Sequence, residues 1–130
     1  MPDGIGEDLQ RFIAAHVHSV EQIEVLLLLK KEPAREWTAS EVSRALSSHP
    51  HSVETRMLDL RARGLVKSRE GEQEFRFRYA PEPGLDVLVE QLARAYAERR
   101  TSVINLIFSK PIDSIRTLAD AFRLRPEEDR

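Results

Sequence analysis

The sequence predicts a mainly helical α+β chain with a single β-hairpin. Three observations carry that prediction. Over most of the 130 residues, apolar side chains recur with the spacing of one helix face. Two stretches, "SVEQ" and "TASE", have the form of capping boxes that open helices. One stretch, "KSREGEQEFRFRYA" (Lys67 to Ala80), alternates instead, with Phe75, Phe77 and Tyr79 interleaved with Arg76 and Arg78 beyond a glycine turn.

The elements follow in order. Leu9, Phe12, Ile13, His16 and Val17 share one face, predicting a helix from about Glu7 to His18. "SVEQ" (Ser19–Gln22) opens a second helix through Ile23, Leu26, Leu27 and Lys30, with Ser19 and Gln22 expected to satisfy each other's backbone donors. It must end near Pro33, whose ring has no place in a helix interior. "TASE" (Thr38–Glu41) opens a short helix with Val42, Ala45 and Leu46 inward. In "SSHPHSVETRMLDLRARGL", Pro50 suits a first helical turn, where its missing N–H costs nothing. Val53, Met57 and Leu60 share a face, and Gly64 after Arg63 stops the helix. The hairpin has arms Leu65–Arg69 and Glu74–Ala80 around a turn at Glu70–Gln73. Its alternation sends Phe75, Phe77 and Tyr79 to the core and Arg76 and Arg78 to solvent. "APEPG" ends the strand, and one long helix is expected from about Leu85 to Phe108. "KP" at Lys110–Pro111 starts a last helix through Ile112, Ile115, Leu118, Ala119 and Phe122, before a frayed tail "RPEEDR". The organisation expected is an N-terminal helix over 1–18, a central module over 19–80, a helical region over 81–125 and a tail over 126–130.

Composition bounds the chemistry. Apolar residues are 41% and charged residues 32%, enough for a core in a soluble chain. The absence of cysteine excludes disulfides, thiol catalysis and cysteine-held metals, and suits a cytoplasmic setting. The opening "MPDGIGEDLQ" lacks a basic and then apolar leader, so no signal peptide is expected. The longest apolar run, Val25 to Leu29, cannot span a bilayer. Net charge is −2, but from Ala34 to Ala80 nine basic residues against seven acidic give +2.

Helix, capped short helix, tight turn, glycine-stopped helix and hairpin is the order of a winged helix-turn-helix. The segment "WTASEVSRALSSHPHSVETRMLDLRARGLVKSRE" resembles the winged-helix module of bacterial transcription regulators of the MarR and related families. The likeness lies in the "ASEVSRAL" supporting helix, the "HSVETRMLDL" recognition pattern and "RGLVKSRE" entering a wing, and it covers roughly Ser19 to Ala80. It implies a DNA-binding transcription regulator whose terminal helices build a homodimer.

The residues give that expectation a geometry. With Val53, Met57 and Leu60 inward, His51, Ser52, Thr55 and Arg56 are the candidate groove contacts. Arg56 could reach guanine or phosphate, while Ser52 and Thr55 could read a base edge or hold a phosphate. Arg44 on the supporting helix and Arg69, Arg76 and Arg78 on the wing are the candidate backbone contacts. Against them stand Leu58 and Asp59 at positions where similar proteins often carry Arg or Lys, Glu54 on the recognition helix, and the wing-tip acids Glu70, Glu72 and Glu74. Those glutamates could pair across the hairpin with Arg69, Arg76 and Arg78. A second reading is therefore open: a winged-helix protein-interaction module that has lost DNA binding.

"SVINLIF" is apolar nearly all round and must be buried on several sides. Dimerisation through Leu92, Tyr96, Val103, Leu106, Ile107, Ile115 and Phe122 would bury it, and a symmetric dimer would ask for a palindromic duplex. No metal or cofactor is expected: in "HVH", His16 and His18 sit two apart and would point apart on a helix. No convergent acid, base and nucleophile set is visible, so the chain is not read as an enzyme.

Overall fold

A computed structural model describes residues 5–108. Six helices and a two-stranded antiparallel hairpin follow in the order α1 (Glu7–His16), α2 (Val20–Lys31), α3 (Ala39–Leu46), α4 (Pro50–Ala62), β1 (Val66–Arg69), β2 (Arg76–Tyr79), α5 (Leu85–Glu98) and α6 (Arg100–Phe108). This is a winged helix-turn-helix with helices on either side of it, a mainly helical α+β fold.

The central helix is α2. Ile23, Val25, Leu26 and Leu29 are buried on it and Leu27 and Leu28 partly so, because α3, α4 and the hairpin surround it. Ser19 caps it as expected, its Oγ accepting from the Gln22 N–H at 3.1 Å. The reciprocal half of the expected box is different. Gln22 is buried, and its carbonyl accepts from the His18 N–H at 2.6 Å while its amide donates to Asp59 at 2.6 Å. A side chain expected to serve its own helix end instead ties α2 to α4.

The second box forms in full: Thr38 Oγ1 accepts from Glu41 N–H at 3.1 Å and Glu41 accepts from Thr38 N–H at 3.0 Å. On α3, Val42 is buried and Leu46 partly so, but Ala45 is exposed and Ser43 is buried in its place. The reason is the turn that follows. Ser47 takes a left-handed φ of 55°, and the Ser43 hydroxyl reaches over the turn to donate to Ser48 O at 2.5 Å. His49 then caps α4, its Nδ1 accepting from His51 N–H, with Pro50 in the first turn. Val53, Met57 and Leu60 are fully buried, as their spacing predicts.

Gly64 stops α4 at φ 78°, which lets Leu65 N–H reach Leu60 O at 3.0 Å. In the hairpin Val66 pairs with Tyr79 and Arg69 with Arg76. Trp37 adds a third edge, exchanging both backbone hydrogen bonds with Phe77 at 2.8 Å. Phe77 and Tyr79 are buried, but Phe75 is 39% exposed, because it lies before β2 begins and its ring rests edge-on against Phe77. At the turn only glycine fits at position 71, since a Cβ there would stand 2.3 Å from Glu74 O.

The expected single helix over 85–108 is two. It breaks at Arg99 (φ −137°, ψ 53°), and α6 packs back against α1 and α5. No glycine or proline marks the break. Burial of Val103 and Ile107 outweighs it: each such side chain is worth about 1.5–3 kcal/mol, against about 1 kcal/mol for each backbone bond released to water. Arg100 stays near the junction, its guanidinium 3.4 Å from Glu24 and over the Tyr96 ring, while Tyr96 donates to Glu24 at 3.2 Å. The first helix ends at His16, short of His18. The predicted helix from Lys110, with Ile115 and Phe122, lies outside the described residues. No single described helix is long and apolar enough to cross a membrane.

Candidate nucleic-acid interface

The outer surface of α4 is set by its three buried residues. His51 and Thr55 are exposed, while Ser52, Glu54, Arg56, Leu58 and Asp59 are half-buried along its flanks. Leu58 packs against the core, so it is not an apolar side chain bared to solvent. Asp59 is turned aside, bonded to Gln22 and to Arg63 Nε at 2.9 Å.

Glu21 of α2 organises the N-terminal half of α4. Its Oε1 accepts from Ser52 Oγ at 2.5 Å and from Arg56 Nε at 3.0 Å. Burial pushes this carboxyl up, but the donors on Ser52, Arg56 and Ser48 outweigh it and hold it below the usual carboxylate range. Arg56 is thereby gripped at Nε, and its two terminal nitrogens have no partner among the described residues. Thr55 Oγ1 donates to His51 O at 3.0 Å.

The arginines divide into engaged and free. Arg69 makes a two-pronged pair with Glu36, both contacts at 2.7 Å. That hydrogen bonding, first of all, holds Glu36 below its ordinary range. Arg44 and Arg78 are exposed and make no side-chain bond among the described residues. Arg76 folds across the turn beside Gly71, half-buried and in no ion pair among the described residues, although its charge and that of Arg78 help to hold Glu36 low.

The wing glutamates do not neutralise this row, contrary to one expectation. Arg69's carboxylate partner is Glu36, outside the hairpin. Glu74 turns inward to the start of α3, accepting from Ser40 Oγ at 2.9 Å and Ser40 N–H at 3.3 Å, where the helix dipole favours a carboxylate. Glu70, Gly71, Glu72, Gln73, Glu74 and Phe75 line an open cavity of about 280 Å³ whose far side is Glu54. The wing tip therefore stands beside α4 with an acidic gap between them.

The histidine geometry also differs from expectation. Since α1 ends at His16, His18 lies outside the helix, and both rings meet the Arg63 guanidinium. Arg63 also donates to Ala15 O at 2.7 Å, so this cluster ties α1 to the end of α4. Of the residues expected at a dimer interface, Leu92 and Val103 have no exposed area and Ile107 has 6%, so they lie in the core of the single chain. Tyr96 and Leu106 are half-buried, while Val87 and Phe108 are 60% and 68% exposed. Sequence periodicity missed Phe108 because the break at Arg99 resets the face that α6 turns outward, whereas Val87, ahead of the break, lies in the first turn of α5. Glu21 was missed too: a lone acid in a capping segment gives no local sign of a partner on another helix.

No protein-family model and no curated protein matches the chain. Solved structures do. MepR, a transcription regulator of Staphylococcus aureus solved bound to an oligodeoxyribonucleotide, is 12% identical with TM-score 0.54, over 92% of this chain and 87% of that one. HlyU from Vibrio cholerae is 19% identical with TM-score 0.53, over 68% and 90%. The homodimeric winged helix-turn-helix DNA-binding domain of Mb0332 from Mycobacterium bovis is 18% identical with TM-score 0.51, over 68% and 82%. At these identities the likeness is one of fold: the chain has the fold of winged-helix transcription regulators.

Proposed function

We propose that this chain is a DNA-binding transcription regulator of MarR-like type, bacterial and cytoplasmic, acting as a homodimer without catalytic chemistry. One observation carries the reading. The α4 surface opposite Val53, Met57 and Leu60 presents His51, Ser52, Thr55 and the free fork of Arg56, on the fold in which such a helix enters a major groove. Arg44, Arg76 and Arg78 are the phosphate contacts, and Arg69 is a weaker one because Glu36 competes for it. Two regulators of similar fold support this, one solved on an oligodeoxyribonucleotide and one as a homodimer. The dimer would use the outward side chains of α5 and α6, with Tyr96 and Leu106 at its edge and Ile115 and Phe122 beyond the described residues. A palindromic site with half-sites about 34 Å apart follows from its two-fold axis. Titration against a genomic fragment library at low salt tests the reading. A sequence-selective shift that weakens with salt is expected, and its absence at every salt concentration would remove the proposal.

A second reading has its own observation. The acidic gap between Glu54 and the wing tip repels phosphate, and Phe75 at its edge is 39% exposed. A winged-helix protein-interaction module would bind a basic partner segment there and no duplex. Arg56→Glu with Arg76→Glu abolishes binding under the first reading and leaves it unchanged under the second.

A further inference from the structure

Both hydroxyl groups on the solvent side of α4 have already committed their protons inside the protein. Ser52 Oγ lies 2.5 Å from Glu21 Oε1, and a carboxylate so held below its usual range accepts only, so the proton sits on Ser52 and points at Glu21. Thr55 Oγ1 lies 3.0 Å from His51 O, a carbonyl that also only accepts. Each hydroxyl therefore turns lone pairs outward and has no proton left to give. Glu54, on the opposite flank of α4 from Ser52 with Thr55 between the two, adds a carboxylate with no partner among the described residues.

This matters because phosphate oxygens, guanine N7 and O6, and thymine O4 all need a donor. Only the amino groups of adenine (N6) and cytosine (N4) donate in the major groove. A hydroxyl that can only accept cannot hold a phosphate, which removes one of the two roles open to Ser52 and Thr55 on sequence alone. We propose that Ser52, Thr55 and Glu54 form an acceptor strip that reads adenine and cytosine amino groups, and that Glu21 sets this preference by holding the Ser52 proton. Glu21 is a positioning residue that need not touch DNA itself: it acts through Ser52, and through Arg56, whose free fork it aims. The inference rests on the DNA-binding reading above and adds to it the base chemistry that α4 selects.

The test is selection from a randomised duplex library with the full chain, followed by titration of the selected duplex. The parent should enrich adenine or cytosine at a half-site position whose preference disappears in Ser52→Ala. Replacing a selected adenine by purine, which lacks the 6-amino group, should weaken the parent roughly 3- to 10-fold, the range expected for one lost hydrogen bond. The same replacement should leave Ser52→Ala unchanged. Glu21→Ala frees the Ser52 proton and should admit guanine or thymine at that position. Glu21→Gln keeps an acceptor oxygen and should keep the preference, which separates positioning from simple loss of a structural contact. Circular dichroism of each variant checks that it folds. Enrichment of guanine or thymine at the Ser52-dependent position overturns the inference, as does an unaltered preference in Glu21→Ala. A parent that binds duplex but selects no base at any Ser52-dependent position overturns it while leaving the DNA reading standing. A parent that binds no duplex overturns both.

Discussion

Single carboxylates decide how this surface works, because each one settles which neighbouring groups remain free. Glu21 holds Ser52 and Arg56, Glu36 holds Arg69, and Glu74 caps α3. None of these pairings is local, and each joins residues at least 31 positions apart. The sequence shows the acids and bases but not their matching, so the wing glutamates read there as partners of the wing arginines. Glu21 also predicts a pH effect with a definite sign. Its folded pKa lies below the ordinary 4.5, so its contribution to stability is present above that value and is lost as pH falls below it. Urea unfolding between about pH 5 and pH 3 should therefore show a shallower loss of stability in Glu21→Gln than in the parent. Equal slopes would show that the carboxyl is not held as described. Arg78 and Arg69 offer a paired comparison. Arg78 is free and Arg69 is engaged, so Arg78→Ala should reduce the salt-dependence exponent of DNA binding by about 0.9, and Arg69→Ala by less. Slopes read from binding isotherms at several salt concentrations decide it.

Elements were legible in proportion to how local their causes are. The Thr38–Glu41 box, Pro50 at the start of α4, and Gly64 at its end act within one turn of chain, and each does what its residue type requires. The break at Arg99 has no such cue. It arises because α1 offers apolar surface that Val103 and Ile107 reach only if the chain turns, so its cause lies some ninety residues away in sequence. The same distinction explains the hairpin. Alternation placed Phe77 and Tyr79 correctly, but Phe75 precedes the first paired residue, Arg76, and escapes the pleat. Gly64 gives the sharpest test at this scale. At φ 78° an added Cβ would be strained and would also meet the Glu82 side chain at 2.7 Å. Gly64→Ala should cost about 1–2 kcal/mol, read as a lower urea midpoint with unchanged slope. A midpoint equal to the parent's would mean that the helix end relaxes freely.

At the scale of the whole molecule, the order of elements as far as the hairpin was legible in the residues, and the structure assembles it into a winged helix-turn-helix flanked by helices. The flanking helices turn their apolar residues partly inward, which places Leu92, Val103 and Ile107 in the core of the single chain instead of on an expected shared surface. What remains outward is α4 with its arginine fork, Arg44, Arg76 and Arg78 in no ion pair among the described residues, and an acidic gap at the wing tip. The proposed DNA binding runs through α4 and the strand bodies, not through the wing tip. Its most direct test is an equilibrium titration of the parent and of Arg56→Glu against a selected duplex from low to physiological salt. The parent should bind with an affinity that falls steeply as salt rises, and Arg56→Glu should lose sequence-selective binding while remaining folded. Binding of equal strength by the two proteins, or no salt-sensitive binding by either, would contradict it.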